Sequence, residues 1–382
     1  MSEYQYYEFR AVDRPLSERE RSKLASISSR GTITATSFTN TYNWGDFKGD
    51  PDTLMETCFD AFVYLANWGT RRFVLRLPLA LLGADVFSAC CLGDCLSARK
   101  AGEYAVLEFA VAESDSEWIE ENDSGWMASL VQLRADLLRG DIRCLYLGWL
   151  LCAQNGELDD GDVEPDVPPG LGSLSASLTA LVDFFDIDPD LVEVAAQHSG
   201  DQAPQPERPA LAAWIQQLPE QEKTELLVQI ALLDDMHIGT RLLAQFQQHQ
   251  NQSNSAKSQS GPGRTVKELL AAAHEKTAEK KRLQERRKAA EKARKEKELA
   301  ERRARYLESL DGRKEPFWRE ITTLIQTKRP NDYDRAVSLL IDLRDLAKLR
   351  SEEPAFQMAI GRLRETHASK PSFLGRLDKA RL

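Results

Sequence analysis

RTVKELLAAAHEKTAEKKRLQERRKAAEKARKEKELAERRARYLESLDGRK, residues 264–314, is the stretch around which the chain divides. It contains no Pro, and its only Gly is Gly312. Ala, Lys, Arg, Glu and Leu dominate it, and all favour helix, so the stretch reads as one long charged helix. From Lys281 to Arg305 eight opposite-charge pairs sit four residues apart, with Glu291–Lys295, Glu298–Arg302 and Glu301–Arg305 in the better Glu-first order. At roughly 0.2–0.5 kcal/mol each, such pairs can hold a solvated helix without a core. At a rise of about 1.5 Å per residue, Thr265 to Leu310 predicts a rod of about 70 Å.

A coiled coil needs large apolar residues at a and d over three or four heptads. Between Leu283 and Leu299 the apolar positions are only Ala289, Ala290 and Ala293, so a tight two-stranded seam is poorly encoded. Three readings stand: a solitary solvated spacer, a weak Ala-lined coiled coil, or a nucleic-acid-binding strip. The stretch carries eighteen basic and ten acidic residues, which suits a phosphate backbone. Its only aromatic residue is Tyr306, a poor supply of stacking platforms. The spacer is the plainest reading.

The 382 residues, with a net charge of −10, suffice for two or three domains. Residues 264–382 carry 31 basic and 20 acidic side chains, whereas the remainder carries 19 and 40. Such asymmetry points to electrostatic contact with a partner, or to head-to-tail self-association. MSEYQYYEFR lacks the features of a signal peptide, and no apolar run reaches membrane-spanning length. Six cysteines at 58, 90, 91, 95, 144 and 152 read as reduced, buried thiols. A cytoplasmic protein without membrane contact is expected.

Residues 1–155 read as an α+β domain: four strands, at 4–12, 32–44, 71–82 and 103–113, with helices packed on one face. A helix is expected over 52–68, where Leu54, Cys58, Ala61, Phe62 and Leu65 recur at helical spacing, with Asp52 as cap and Gly69 as stop. Residues 83–102 read as a loop with one helical turn, and 126–156 as two helices divided near Gly140. Residues 156–249 form a helical region, opened by an acidic, Pro- and Gly-rich linker or exposed loop, with Leu226, Leu227, Ile230 and Leu233 marking one core face. Residues 250–263 are a flexible linker. Residues 315–382 predict a helical bundle of three amphipathic helices. Its YDRAVSLL segment is similar to a single tetratricopeptide unit, one unit being too few for a solenoid. The fold class is therefore an α+β N-terminal domain followed by a mostly α chain.

The candidate chemistry is sparse. Cys90-Cys91-Leu92-Gly93-Asp94-Cys95 invites a zinc reading, but structural zinc needs four ligands and no His lies nearby. The five histidines fall at 198, 237, 249, 274 and 367, outside the first domain. The loop 43–52 places Trp44, Asp46, Lys48, Asp50 and Asp52 between a strand and a helix. Its carboxylates would suit a hard cation and the helix start an anion, so the two readings conflict, and a capped turn is plainer. Asp234, Asp235 and His237 form a similarly weak trio. No Walker loop, dinucleotide fingerprint, nucleophile elbow or H-E-x-x-H occurs. No catalytic residue, cofactor or metal ligand is assigned.

The opening MSEYQYYEFRAVDRPLSERE, the stretch SFTNTYNWGDFKGDP and the closing KPSFLGRLDKARL resemble a family of uncharacterised bacterial proteins, over the whole chain. The resemblance implies a bacterial cytoplasmic protein whose companions carry SWIM-type zinc fingers, and it carries over no catalytic residue. The functional expectation is a scaffold or adaptor bridging protein partners through an acidic head and a basic tail. Partner contacts are expected at Trp44, Asp46, Lys48 and Asp50, and at Arg286, Arg287, Arg302 and Arg303. Nucleic-acid association through the rod and tail is one alternative. A small enzyme using the Trp44–Asp52 loop is the other.

Overall fold

The N-terminal sheet grows outward from β1 (Gln5–Arg10), which pairs antiparallel with β3 (Ser37–Tyr42) and β4 (Ala61–Ala66). β2 (Thr32–Ile33), β5 (Arg71–Pro78), β6 (Leu96–Ala101) and β7 (Tyr104–Val111) complete seven strands in the order β2-β3-β1-β4-β5-β7-β6, every pairing antiparallel. The computed structural model describes residues 4–81, 90–112, 125–201, 208–232, 238–243, 245–246 and 263–382. The helical turn expected within 83–102 falls mostly outside these residues. So do the acidic run after 112, the trio Asp234, Asp235 and His237, and the linker 250–263 up to its last residue.

The four expected strands are all present, but the sheet has seven. The stretch 32–44 breaks into β2 and β3 at 34–36. Residues 96–101, expected in a loop, form β6, turned back onto β7 through Gly102, whose φ of +63° favours Gly. The largest correction concerns 52–68. The helix there, α2 (Pro51–Thr57), is capped by Asp50 rather than Asp52, which lies in its first turn, and it stops at Cys58, after which β4 follows. β4 is buried along its whole length. Ala61, Val63 and Leu65 enter one core while Phe62, Tyr64 and Ala66 enter the other. A strand covered on both faces reads as a continuous apolar run, which periodicity cannot separate from a buried helix.

Helices therefore cover both faces of the sheet rather than one. On one face α1 (Glu18–Ile27), α2, Phe47 and Phe59 pack against Tyr7, Phe9, Phe38 and Phe62. Ser17 and Glu20 close a capping box at the start of α1. The other face carries α3 (Trp126–Leu130), α4 (Gln132–Leu138), α5 (Arg143–Gln154), α6 (Ala176–Phe185) and α7 (Pro189–Ala196). The expected break near Gly140 separates α4 from α5, and a further break at Val131 makes three helices of two.

The acidic segment after Gly156 is partly built into this core, with Leu158, Glu164 and Leu171 buried. α8 (Arg208–Gln217) and α9 (Glu220–Leu232) follow. The expected core face of α9 is not packed: Leu227 and Ile230 are exposed and the helix buries no residue.

The long charged helix is α10 (Val266–Leu310), 45 residues in one element. Two compact units divide the chain, Met1–Glu279 and Lys280–Leu382, so α10 contributes to each. In the first, Val266, Leu269 and Ala273 join the core beneath the sheet. In the second, Leu307 and Leu310 pack on Leu346. That second unit is a helical bundle of α11 (Lys314–Gln326), α12 (Pro330–Arg350), α13 (Glu353–Thr366) and α14 (Pro371–Lys379). Ile321, Ile325, Leu340, Phe356, Phe373 and Leu377 fill its centre. The third expected helix is two, divided ahead of Pro371 because Pro suits a helix's first turn but cannot continue one.

Candidate interaction surfaces

The loop after β3 is held by one inward side chain. Phe47 packs among Tyr7, Phe9 and Phe38, with ring centroids 5.2, 6.1 and 5.9 Å away. Gly45 turns the chain at φ +81°, and Gly49 lies so close to the Phe47 ring that a Cβ there would meet it at 2.7 Å. Gln5 Nε2 donates to Asp46 Oδ1 at 3.0 Å and to the Gly45 carbonyl at 3.3 Å. Asp50 accepts from the Asp52 N–H and from Thr53 Oγ1. The Thr53 hydroxyl bond, with the Asp52 and Thr53 N–H groups, holds its carboxyl below the usual carboxylate value. Asp52 faces Arg72 at 3.1 Å and Arg99 at 3.5 Å.

Each carboxylate of the loop thus has its own structural partner, and they do not converge. Among the described residues, no three His, Cys, Asp or Glu side chains come together as a metal would need. The loop presents outward Trp44, 70% exposed, and Lys48, with Asp46 and Asp50 exposed beside them. A second tryptophan escaped the sequence reading. Trp68, 39% exposed, lies in the β4–β5 turn. Tyr42 and Ala66 both pair with Gln5, so Trp44 and Trp68 each lie two residues beyond the same end of the sheet. Pairing register alone brings them there.

The cysteines lie inside. All six are free, and only Cys91 is not fully buried. Burial pushes the Cys90 thiol up to about 11 and the Cys91 thiol up to about 12, and raises Cys144 as well. Cys152 is raised by its hydrogen bond with Cys95 and by burial. Cys95 Sγ donates to Glu157 Oε1 at 3.0 Å and accepts from Asn155 Nδ2 at 3.2 Å. The raised thiols are neutral at pH 7, and the thiolate is the form that binds metal or attacks.

The basic surface is the middle of α10. Every residue from 278 to 302 is exposed, about seven turns of helix. Leu283 and Leu299, 68% and 69% exposed, point to nearly opposite sides at 100° per residue. Four of the eight anticipated pairs form: Glu291–Lys295 at 2.8 Å, Arg294–Glu298 at 3.6 Å, Glu301–Arg305 at 3.8 Å and Lys292–Glu296 at 4.0 Å. Arg286, Arg287 and Arg302 stand in solvent. Arg303 differs. Its guanidinium meets Asp342 at 2.6 Å and Asp345 at 2.9 Å and lies over the Tyr306 ring, whose hydroxyl donates to Asp342. Arg303 therefore locks the end of α10 onto α12 and is not available as the other three are.

Compared with known proteins, the chain matches no family model, no curated relative and no solved structure.

Proposed function

We propose that the protein is a non-enzymatic adaptor that bridges protein partners through its acidic first unit and its basic second unit. The observation that carries this reading is α10. Both ends of one helix are built into cores, while its middle seven turns touch no core and expose charge on every side. A helix kept solvated at that length serves as a connector, since helical stability otherwise comes from packing an amphipathic face. Trp44 and Trp68 supply an anchor for one partner, because exposed tryptophans are enriched among residues that dominate binding energy. A SWIM-finger companion fits the family resemblance. Six free thiols fit a reducing, cytoplasmic setting.

The experiment is affinity capture from nuclease-treated native lysate with the full chain as bait. At least two proteins should be retained, and Trp44→Ala together with Trp68→Ala should release one and spare the other. Recovery of no protein after nuclease treatment, or equal recovery by the double variant, would overturn the reading. The connector itself is tested by deleting residues 281–298, which removes about five turns and keeps the helical phase. A deletion reaching from 265 to 310 would also remove Val266, Leu269, Leu307 and Leu310 from their cores.

A further inference from the structure

We propose that residues 281–288 of α10 bind duplex DNA, holding the phosphates on both sides of the major groove without reading sequence. This goes beyond the adaptor reading and does not depend on it. The charge on the exposed part of α10 is uneven. Residues 280–288 carry six basic side chains and one acidic, whereas residues 289–302 carry five and four. The pairs four residues apart that form here, Glu291–Lys295, Lys292–Glu296 and Arg294–Glu298, lie in the second stretch. Among the described residues, none of Lys281, Arg282, Arg286, Arg287 and Lys288 has a carboxylate within ion-pair reach, although Lys281–Glu285 and Arg287–Glu291 have the spacing for it. Five unneutralised cations thus crowd about two turns of exposed helix.

Their arrangement selects the partner. At 100° per residue these five side chains point to all sides of the helix rather than to one. A flat acidic protein surface would neutralise one side and leave the others facing water. A membrane surface needs an apolar face opposite the cations, and Leu283 and Leu299 do not share one. Single strands need aromatic platforms, and residues 278–302 contain none. The major groove of B-form DNA, about 12 Å wide, admits a helix and flanks it with phosphate rows. The deep, narrow major groove of duplex RNA does not admit one. Ala289, Ala290 and Ala293 keep the following turn thin enough to continue along such a groove.

The test is fluorescence anisotropy of the full chain with a mixed-sequence duplex of about 20 base pairs. With about five phosphates neutralised, log affinity should fall against log salt with a slope of about −4 to −5. That is a loss of about 10²–10³-fold between about 50 and 200 mM salt. Replacing Lys281, Arg282, Arg286, Arg287 and Lys288 together by Gln should abolish binding at the lower salt, with helicity by circular dichroism unchanged because Gln favours helix about as well. Should that variant lose helicity, R286Q/R287Q alone should reduce the slope by about 2. Gln at Lys292, Arg294 and Lys295, which already face carboxylates, should change affinity far less. The proposal fails if the duplex does not bind at about 50 mM salt, or if the Gln variants bind as the parent does. Equal affinity for single strands, duplex RNA or anionic vesicles also overturns it. So does salt-sensitive self-association, seen by sedimentation, in place of DNA binding.

Discussion

The Arg–carboxylate pairs beneath the sheet and those along α10 use the same chemistry to opposite effect. In the first region Asp60, 1% exposed, accepts from the Val12 and Asp13 N–H groups and from Arg76 at 2.7 Å. Arg134 meets Asp13 at 2.6 Å and donates to the Arg76 carbonyl, and the Arg76 guanidinium also lies 4.6 Å from the Tyr104 ring centroid. Burial alone would raise the Asp60 carboxyl, but the two N–H donors and Arg76 more than offset it and hold it below its usual value. Along α10 the pairs stand on the open surface of the helix, at 2.8–4.0 Å and with both partners mostly exposed. Buried charges bind specific groups into one geometry. Exposed ones mainly keep a helix solvated and leave its surface free for another molecule.

Removing partners in order of burial sharpens that contrast. Asp60→Ala strands Arg76 and two N–H groups in the core and should cost about 3–5 kcal/mol, read by denaturant melts of the full chain. The acid limb should respond too. Asp60 has a depressed folded value, so its contribution is present above about pH 4 and is lost as pH falls through the folded value. Asp60→Asn should therefore flatten the loss of stability below about pH 4. An unchanged acid limb would show that the Asp60 network is not what acid breaks.

Next in size is Arg264→Met. Arg264 grips both Glu164 oxygens, at 2.7 and 2.8 Å, and the Val194 carbonyl, while Tyr146 donates to the same carboxylate. Its loss should cost about 2–3 kcal/mol. Arg303→Ala follows at about 1 kcal/mol, discounted because the side chain is 40% exposed. Glu298→Gln, on the open helix, should stay within about 0.5 kcal/mol. If that last change rivalled Arg264→Met, α10 would have a covering partner in solution, and the division between buried and solvated pairs would fail.

Legibility in the sequence followed local physics. The α10 boundaries are nearly those expected, since 45 residues of strong helix formers need no tertiary help to be recognised. The break at Gly140 and the strands at 5–10, 71–78 and 104–111 were legible for the same reason. β4 was not, because each of its six residues is buried and an apolar run covered on both faces carries no period. β6, read as LSARKA in a loop, becomes a strand only by pairing with β7. At the candidate sites, the exposure of Trp44 and of Arg286, Arg287 and Arg302 followed the expectation, whereas Trp68 and the capture of Arg303 did not.

By itself, the sequence determined the elements that short-range forces specify: the long helix, its charge, and the acidic and basic halves of the chain. Tertiary structure alone decided which face of a strand is covered, which cations keep a carboxylate and which do not, and which distant aromatics share an edge. Those outcomes depend on groups brought together from far apart in the chain. Arg264 and Glu164 lie a hundred residues apart, and no local pattern records such a pairing.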